Sequence, residues 1–101
     1  MITFAFPAFN ESENLKRFPS EVIPVFDSLG TPYEILIIDD GSTDATADVA
    51  RRLGTPVRVV QHDRNRGLGA AVRTAIREAK GDLLITMDTD LTFAPTLVPS
   101  L

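Results

Sequence analysis

The stretch Tyr33-Glu34-Ile35-Leu36-Ile37-Ile38-Asp39-Asp40-Gly41-Ser42 decides the fold. Tyr33 to Ile38 is β-branched and continuous, the pattern of a strand covered on both faces. It ends abruptly in two carboxylates and a glycine. Outward from it, Ile2 to Phe9 reads as a first strand interrupted near its end by Pro7, Val57 to Gln61 as a short third, and Leu83 to Met87 as a fourth. Helical signals lie between them. Leu15, Phe18, Val22, Phe26 and Leu29 recur at steps of three and four, and Pro19 and Pro24 inside that stripe predict a kinked or broken helix. Ser42 or Thr43 is suited to cap a second helix with Asp44 in its first turn. Ala45 to Leu53 would form its body, and Gly54 and Pro56 would stop it. A third runs from about Gly69 to Lys80 and stops at Gly81, with Ala71, Val72, Ala75, Ile76 and Ala79 as its buried face. A fourth would begin after Pro95, within Thr92 to Leu101.

The order β-α-β-α-β-α-β with short connections predicts an α/β fold, a doubly wound and mainly parallel sheet with right-handed crossovers. Such Rossmann-like sheets bind ligands beyond the carboxyl ends of their strands. The 101 residues are expected to form a single domain with one modest core. The formal net charge of −4 argues against a nucleic-acid backbone as partner. The absence of cysteine excludes disulfides and thiolate metal sites and permits a reducing cytoplasm, the expected location. No leader-like segment follows Met1, and the longest strongly apolar run, Ile35 to Ile38, falls far short of the roughly 20 residues that span a bilayer.

The four strand ends read Pro7-Ala8-Phe9-Asn10-Glu11, Asp39-Asp40-Gly41-Ser42, His62-Asp63-Arg64-Asn65-Arg66-Gly67 and Asp88-Thr89-Asp90. In a parallel sheet all four open on one edge, where carboxylates repel unless a cation or donors compensate. Any one of them is explained as a cap or turn residue, and Asp44 reads best as just that. Asp88-Thr89-Asp90 is less easily explained so, because it follows the very apolar Leu83-Leu84-Ile85. An Asp-x-Asp pair there suits Mg²⁺ or Mn²⁺, hard cations that take one or two carboxylates and complete their shell with water and phosphate oxygens. Asp39-Asp40 has a different use: acceptor-only groups receive base N–H donors and ribose hydroxyls, with Gly41 letting backbone approach a ligand. The same four residues also make a good turn. Gly67-Leu68-Gly69 before a helix imitates a dinucleotide fingerprint, but it follows the third strand instead of the first, so a nicotinamide site is rejected. The glycines suit a loop folded tightly over a ligand, with Arg64 or Arg66 either facing phosphate or simply solvated. His62, with no second His or Cys to join it, reads as a surface residue.

Taken together, the Pro7-Ala8-Phe9-Asn10-Glu11 opening with Glu13-Asn14-Leu15, Asp39-Asp40-Gly41-Ser42-Thr43-Asp44, the Asn65-x-Gly-x-Gly-Ala loop and Asp88-Thr89-Asp90-Leu91 resemble family 2 glycosyltransferases. The nearest flavour is that of the polyprenyl-phosphate sugar synthases of the dolichyl-phosphate mannose synthase type. The resemblance implies the nucleotide-binding half of an inverting GT-A domain using a GDP- or UDP-sugar. By position it implies Pro7, Phe9 and Glu11 flanking base and ribose, and Ile38 and Asp40 holding the base. Asp88 and Thr89 would lie along the diphosphate, and Asp90 with Asp88 at the metal, Asp90 more directly. It assigns no catalytic residue. Thr92 stands where the synthases often carry Gln. The family's domain is expected to run about as long again beyond Leu101, so residues 1–101 read as a donor-binding domain truncated after the Asp-x-Asp motif. If the acceptor is a lipid phosphate, the protein would work at the cytoplasmic membrane face without spanning it. An uncovered sheet edge predicts a homo-oligomer.

Two other classes compete. One is a catalytically incomplete nucleotide-binding or regulatory module. The other is a phosphoacceptor signalling domain, weakened by the lack of a fifth strand and by Lys80 falling on the wrong sheet edge.

Overall fold

The computed structural model describes residues 1–89. Strands β1 (Ile2–Ala8), β2 (Tyr33–Asp39), β3 (Val57–Gln61) and β4 (Leu83–Thr86) form one wholly parallel sheet in the order β3-β2-β1-β4. β1 is central, pairing Phe4 with Ile35 on one side and with Ile85 on the other. At the carboxyl edge Ala8 lies beside Asp39, and Asp39 beside Gln61. Pro7 is tolerated within β1 opposite Ile38.

The first crossover is broken as its prolines require. A short α1 (Ser12–Leu15) is followed by a π-helical turn over Phe18–Val22 containing Pro19, then α2 (Ile23–Asp27), in whose first turn Pro24 sits. α3 (Thr46–Arg52) starts later than its cap signals suggest. Ser42 and Thr43 are diverted to the neighbouring loop: the Asn10 N–H donates to Ser42 Oγ at 2.9 Å, and the Thr43 N–H to Asn10 Oδ1 at 2.9 Å. Asp44 takes over the capping, its Oδ1 accepting the Thr46 N–H at 2.9 Å.

α4 (Leu68–Glu78) crosses the opposite face of the sheet. Its buried residues are Ala71, Thr74 and Ala75, whereas Ile76, expected inside, is 64% exposed. Residues three and four apart share a helix face, and one further step turns about 100° away from it. Docking on the Ala71–Ala75 line therefore brings Thr74 in and turns Ile76 out.

The two faces pack differently. Under α1 to α3, Phe4 stacks on Phe26 with ring centroids 3.8 Å apart, and Phe6 meets Phe18 edge-on at 4.9 Å. Under α4 the core is thin: Ala5, Leu36 and Ile38 of the sheet meet Ala71 and Ala75. Small residues let α4 lie close to the strands, which brings its polar Thr74 within reach of the end of β3. At the amino edge, Glu34 binds Thr3 Oγ1 at 2.7 Å, the Lys80 N–H at 2.9 Å and Arg58 Nε at 3.2 Å, so Lys80 does fall on the edge away from the acidic strand ends. Among the described residues no helix is long and apolar enough to cross a membrane. The helix expected after Pro95 lies outside the described residues.

Candidate functional site at the carboxyl edge of the sheet

The chain leaves β1 towards one face and reaches β4 by way of α4 on the other, so the strand order reverses between β1 and β4. Side chains are parted at such a switch point, leaving a crevice outside the carboxyl ends. Two adjoining hollows open there. One of about 280 Å³ is lined by Pro7, Ala8, Phe9, Glu11, Asp40, Asn65, Gly67, Leu68 and Ala71. The other, about 250 Å³, shares Pro7 and Leu68 and adds Val72, Thr86, Met87 and Asp88. Together they have the size of an ordinary small-ligand site.

The β1–α1 loop forms one wall. Asn10 holds a left-handed backbone conformation, φ 54°, uncommon for a residue with a side chain. Its Oδ1 repays that strain by accepting from the Thr43 N–H, the Thr43 hydroxyl and the Asp44 N–H. The bend it makes leaves Phe9 43% exposed at the crevice. Glu11 follows, with Oε2 held by Asn14 Nδ2 at 2.7 Å.

The floor belongs to Asp40, which is almost fully buried. Its Oδ1 accepts from His62 Nδ1 at 2.8 Å and the Arg66 N–H at 2.9 Å, and its Oδ2 from the Gly67 N–H at 2.9 Å. Burial pushes this carboxyl up, but the His62 bond and then the two backbone N–H bonds outweigh it and hold the group below the usual carboxylate range. A carboxylate offers about four acceptor positions. The described residues use three of them, and the remaining one is on Oδ2. Beside it, Asp39 is 1% exposed, with Oδ1 accepting the Ser42 N–H at 3.1 Å and Oδ2 buried without a partner among the described residues.

Gly41 has φ 71°, and a Cβ on it would lie 2.2 Å from the Arg64 carbonyl carbon and 2.4 Å from the Asn65 nitrogen. Backbone does approach closely at this glycine, and it is that of the β3–α4 loop. The Arg66 side chain turns to Asp63 at 2.9 Å, and Arg64 is exposed.

His62 is not a surface residue. It is buried, with Nδ1 on Asp40 and Nε2 2.8 Å from Thr74 Oγ1. A lone histidine gives no sequence signal of this, because Asp40 and Thr74 are brought to it by two other elements. The one hint available was Thr74 itself, a polar residue on an otherwise alanine-lined helix face.

Of the residues singled out from the sequence, Pro7, Phe9, Glu11 and Asp40 line the first hollow and Asp88 the second. The Ile38 side chain is wholly buried behind them against the α4 face and lines neither. Thr89 is buried next to the exposed Asp88, and Asp90 lies outside the described residues. Leu68, Ala71, Val72 and Met87 carry no motif and enter the lining through the position of α4 and the β4 end alone.

A doubly wound parallel sheet with an acidic crevice at its switch point is an α/β arrangement of the GT-A kind. The chain belongs to glycosyl transferase family 2, whose family model matches residues 3–101. It is 36% identical over 104 residues to the undecaprenyl-phosphate 4-deoxy-4-formamido-L-arabinose transferase of Edwardsiella ictaluri, covering 99% of this chain and 32% of that protein. It is 35% identical over 102 residues to the dolichol-phosphate mannosyltransferase of Pyrococcus furiosus, covering 99% and 28%. It thus spans about a third of the length of these relatives, which are polyprenyl-phosphate sugar transferases of the kind its motifs resemble. The fold also matches glucosyl-3-phosphoglycerate synthase from Mycobacterium tuberculosis in complex with Mn²⁺, uridine diphosphate and glucosyl-3-phosphoglycerate. That match has a TM-score of 0.75 and 26% identity, and covers 98% of this chain and 37% of that one.

Proposed function

We propose that residues 1–101 bind a nucleotide-diphosphate sugar, GDP- or UDP-linked, in the switch-point crevice, as the donor-binding part of a glycosyltransferase. The observation that carries this is the convergence of Pro7, Phe9, Glu11 and Asp40 on one hollow, with an unused acceptor position on a well-ionised Asp40. The exposed Phe9 ring offers a stacking face for the base. Asp40 Oδ2 accepts a base N–H, and Glu11, anchored through Oε2, has its other carboxylate oxygen for ribose hydroxyls. Ile38 serves from behind, closing the floor.

The diphosphate would lie towards Asp88 and Thr89. Among the described residues no group of three or more His, Cys, Asp or Glu gathers to cage a cation. Asp88 is an exposed hard oxygen donor at the crevice mouth, which fits Mg²⁺ or Mn²⁺, since these keep several waters and share phosphate oxygens instead of filling a protein cage. Asp88 and Asp90 would hold such an ion, whose contribution is positive charge where the departing diphosphate gains negative charge. The polyprenyl-phosphate relatives support a lipid phosphate as acceptor, and hence work at the cytoplasmic membrane face. Such an acceptor is already an anion and needs no strong base from this chain. The exposed Leu68, Ile76 and Leu83 support self-association.

Calorimetric titration with GDP and UDP, with and without Mn²⁺, tests the reading. Metal-dependent binding that is lost in Asp90→Ala is expected. No binding of either nucleotide under any condition overturns it.

A further inference from the structure

The chain has one histidine, and the nucleotide site as described does not use it. His62 nonetheless sits in a fully paired, buried position between the carboxyl end of β2 and the middle of α4. The roles within this contact can be worked out. Arg77 Nη2 donates to Thr74 Oγ1 at 3.4 Å, so the Thr74 hydroxyl proton is free to point at the imidazole. Nε2 then accepts from Thr74, and the ring's own proton lies on Nδ1, facing Asp40 Oδ1 at 2.8 Å. The neutral ring satisfies both neighbours in this tautomer alone. With Nε2 protonated instead, a bare Nδ1 lone pair would face a carboxylate oxygen.

The consequence falls on Asp40. Its Oδ1 is clamped by His62 and the Arg66 N–H, which fixes the carboxylate plane and leaves Oδ2 with the Gly67 N–H and one open position. The same clamp ties the strand end to the β3–α4 loop, whose Asn65 and Gly67 line the hollow.

We propose that His62, held in its Nδ1–H form by Thr74, is a positioning residue that presets the Asp40 carboxylate for the base edge of the nucleotide. The proposal rests on the reading that Asp40 receives the base. A group already fixed in its bound orientation loses less freedom when the ligand arrives, so the clamp acts on affinity.

Two measurements on the 101-residue chain test it. In a long-range ¹H–¹⁵N spectrum the single imidazole must show a protonated Nδ1 and an unprotonated, hydrogen-bonded Nε2; an Nε2–H ring overturns the proposal without reference to any ligand. Titration with UDP and GDP in Mn²⁺ then compares variants. His62→Asn, whose amide N–H falls near the Nδ1 position, is expected within about threefold of wild type, whereas His62→Phe, similar in bulk but without a donor, is expected to bind at least tenfold more weakly, the size of one hydrogen bond to a charged group. Equal affinity in His62→Phe and wild type, or equal loss in both variants, overturns the proposal. If wild type binds neither nucleotide, the donor-site reading falls, and the tautomer alone decides whether His62 orders Asp40.

Discussion

The two edges of this sheet bury the same kind of group and treat it in opposite ways. At the amino edge, Glu34 meets Thr3, the Lys80 N–H and Arg58, while the Gly81 N–H donates to Thr3 Oγ1 at 2.9 Å and Arg58 also reaches the Glu78 carbonyl at 2.6 Å. Each member of that cluster is spoken for. At the carboxyl edge, Asp40 keeps an acceptor position that no described residue uses, and a phenyl ring and Asp88 are left exposed at the crevice. Buried polar groups are costly when unpaired and are normally satisfied. An edge that leaves capacity open where the topology also opens a crevice is built to receive something, whereas the closed edge is a staple.

Both edges also depend on a glycine packed against backbone, Gly81 against Met1 and Thr3 and Gly41 against the β3–α4 loop, and the second gives the largest expected effect. Gly41→Ala combines a left-handed backbone with a Cβ 2.2 Å from the Arg64 carbonyl carbon, so about 3 kcal/mol of stability should be lost in denaturant titration. A loss under 1 kcal/mol would show that the β3–α4 loop is not held where described. Next, Glu34→Ala strips the acceptor from Thr3, Lys80 and a partly exposed Arg58 and should cost about 2 kcal/mol, yet leave nucleotide affinity within twofold. A parallel loss of affinity would break the contrast between the edges.

A pH titration sharpens the same contrast. Burial pushes Glu34 up, but the Lys80, Thr3 and Arg58 bonds more than reverse this, and its folded-state pKa is lowered. A group lowered on folding stabilises fully above its unfolded value, near 4.3, and loses that contribution as pH falls through the lower folded value. Glu34→Gln should therefore flatten the fall in stability below about pH 4.5. An unchanged acid limb would mean that the cluster carries no charge-linked stability. The smallest effect is expected at the unpaired oxygen. Asp39→Asn keeps the Oδ1 acceptor for the Ser42 N–H and alters only an atom without a partner among the described residues, and should change stability by less than about 1 kcal/mol. A cost above 2 kcal/mol would reveal a partner for Asp39 Oδ2.

The sequence reads well where a signal is local. The run Tyr33 to Ile38, the proline-broken first crossover and the glycine ending α3 at φ 67° each follow from chain-local physics, and the parallel order follows from the short connections. It reads poorly where two distant elements decide a residue's surroundings. Ile76 is turned out because α4 docks on its alanines, and Ser42 and Thr43 abandon the α3 cap because Asn10 claims them. His62 is buried because Asp40 and Thr74 arrive from either side. The carboxylates of the crevice, Glu11, Asp40 and Asp88, were legible as strand-end chemistry, and Pro7 and Phe9 through the family resemblance. The apolar lining added by Leu68, Ala71, Val72 and Met87 and the His62 clamp were not, since they depend on where α4 and the end of β4 lie.

The most direct test of the contrast between edges is a thermal-unfolding comparison of wild type, Glu34→Gln and Asp40→Asn, each with and without saturating UDP or GDP and Mn²⁺. A ligand that binds only the folded state raises its stability in proportion to occupancy. Nucleotide should raise the melting temperature of wild type and of Glu34→Gln by the same increment and leave Asp40→Asn nearly unmoved. Equal stabilisation of all three, or none in wild type, would contradict the assignment of the open carboxyl edge as the nucleotide site.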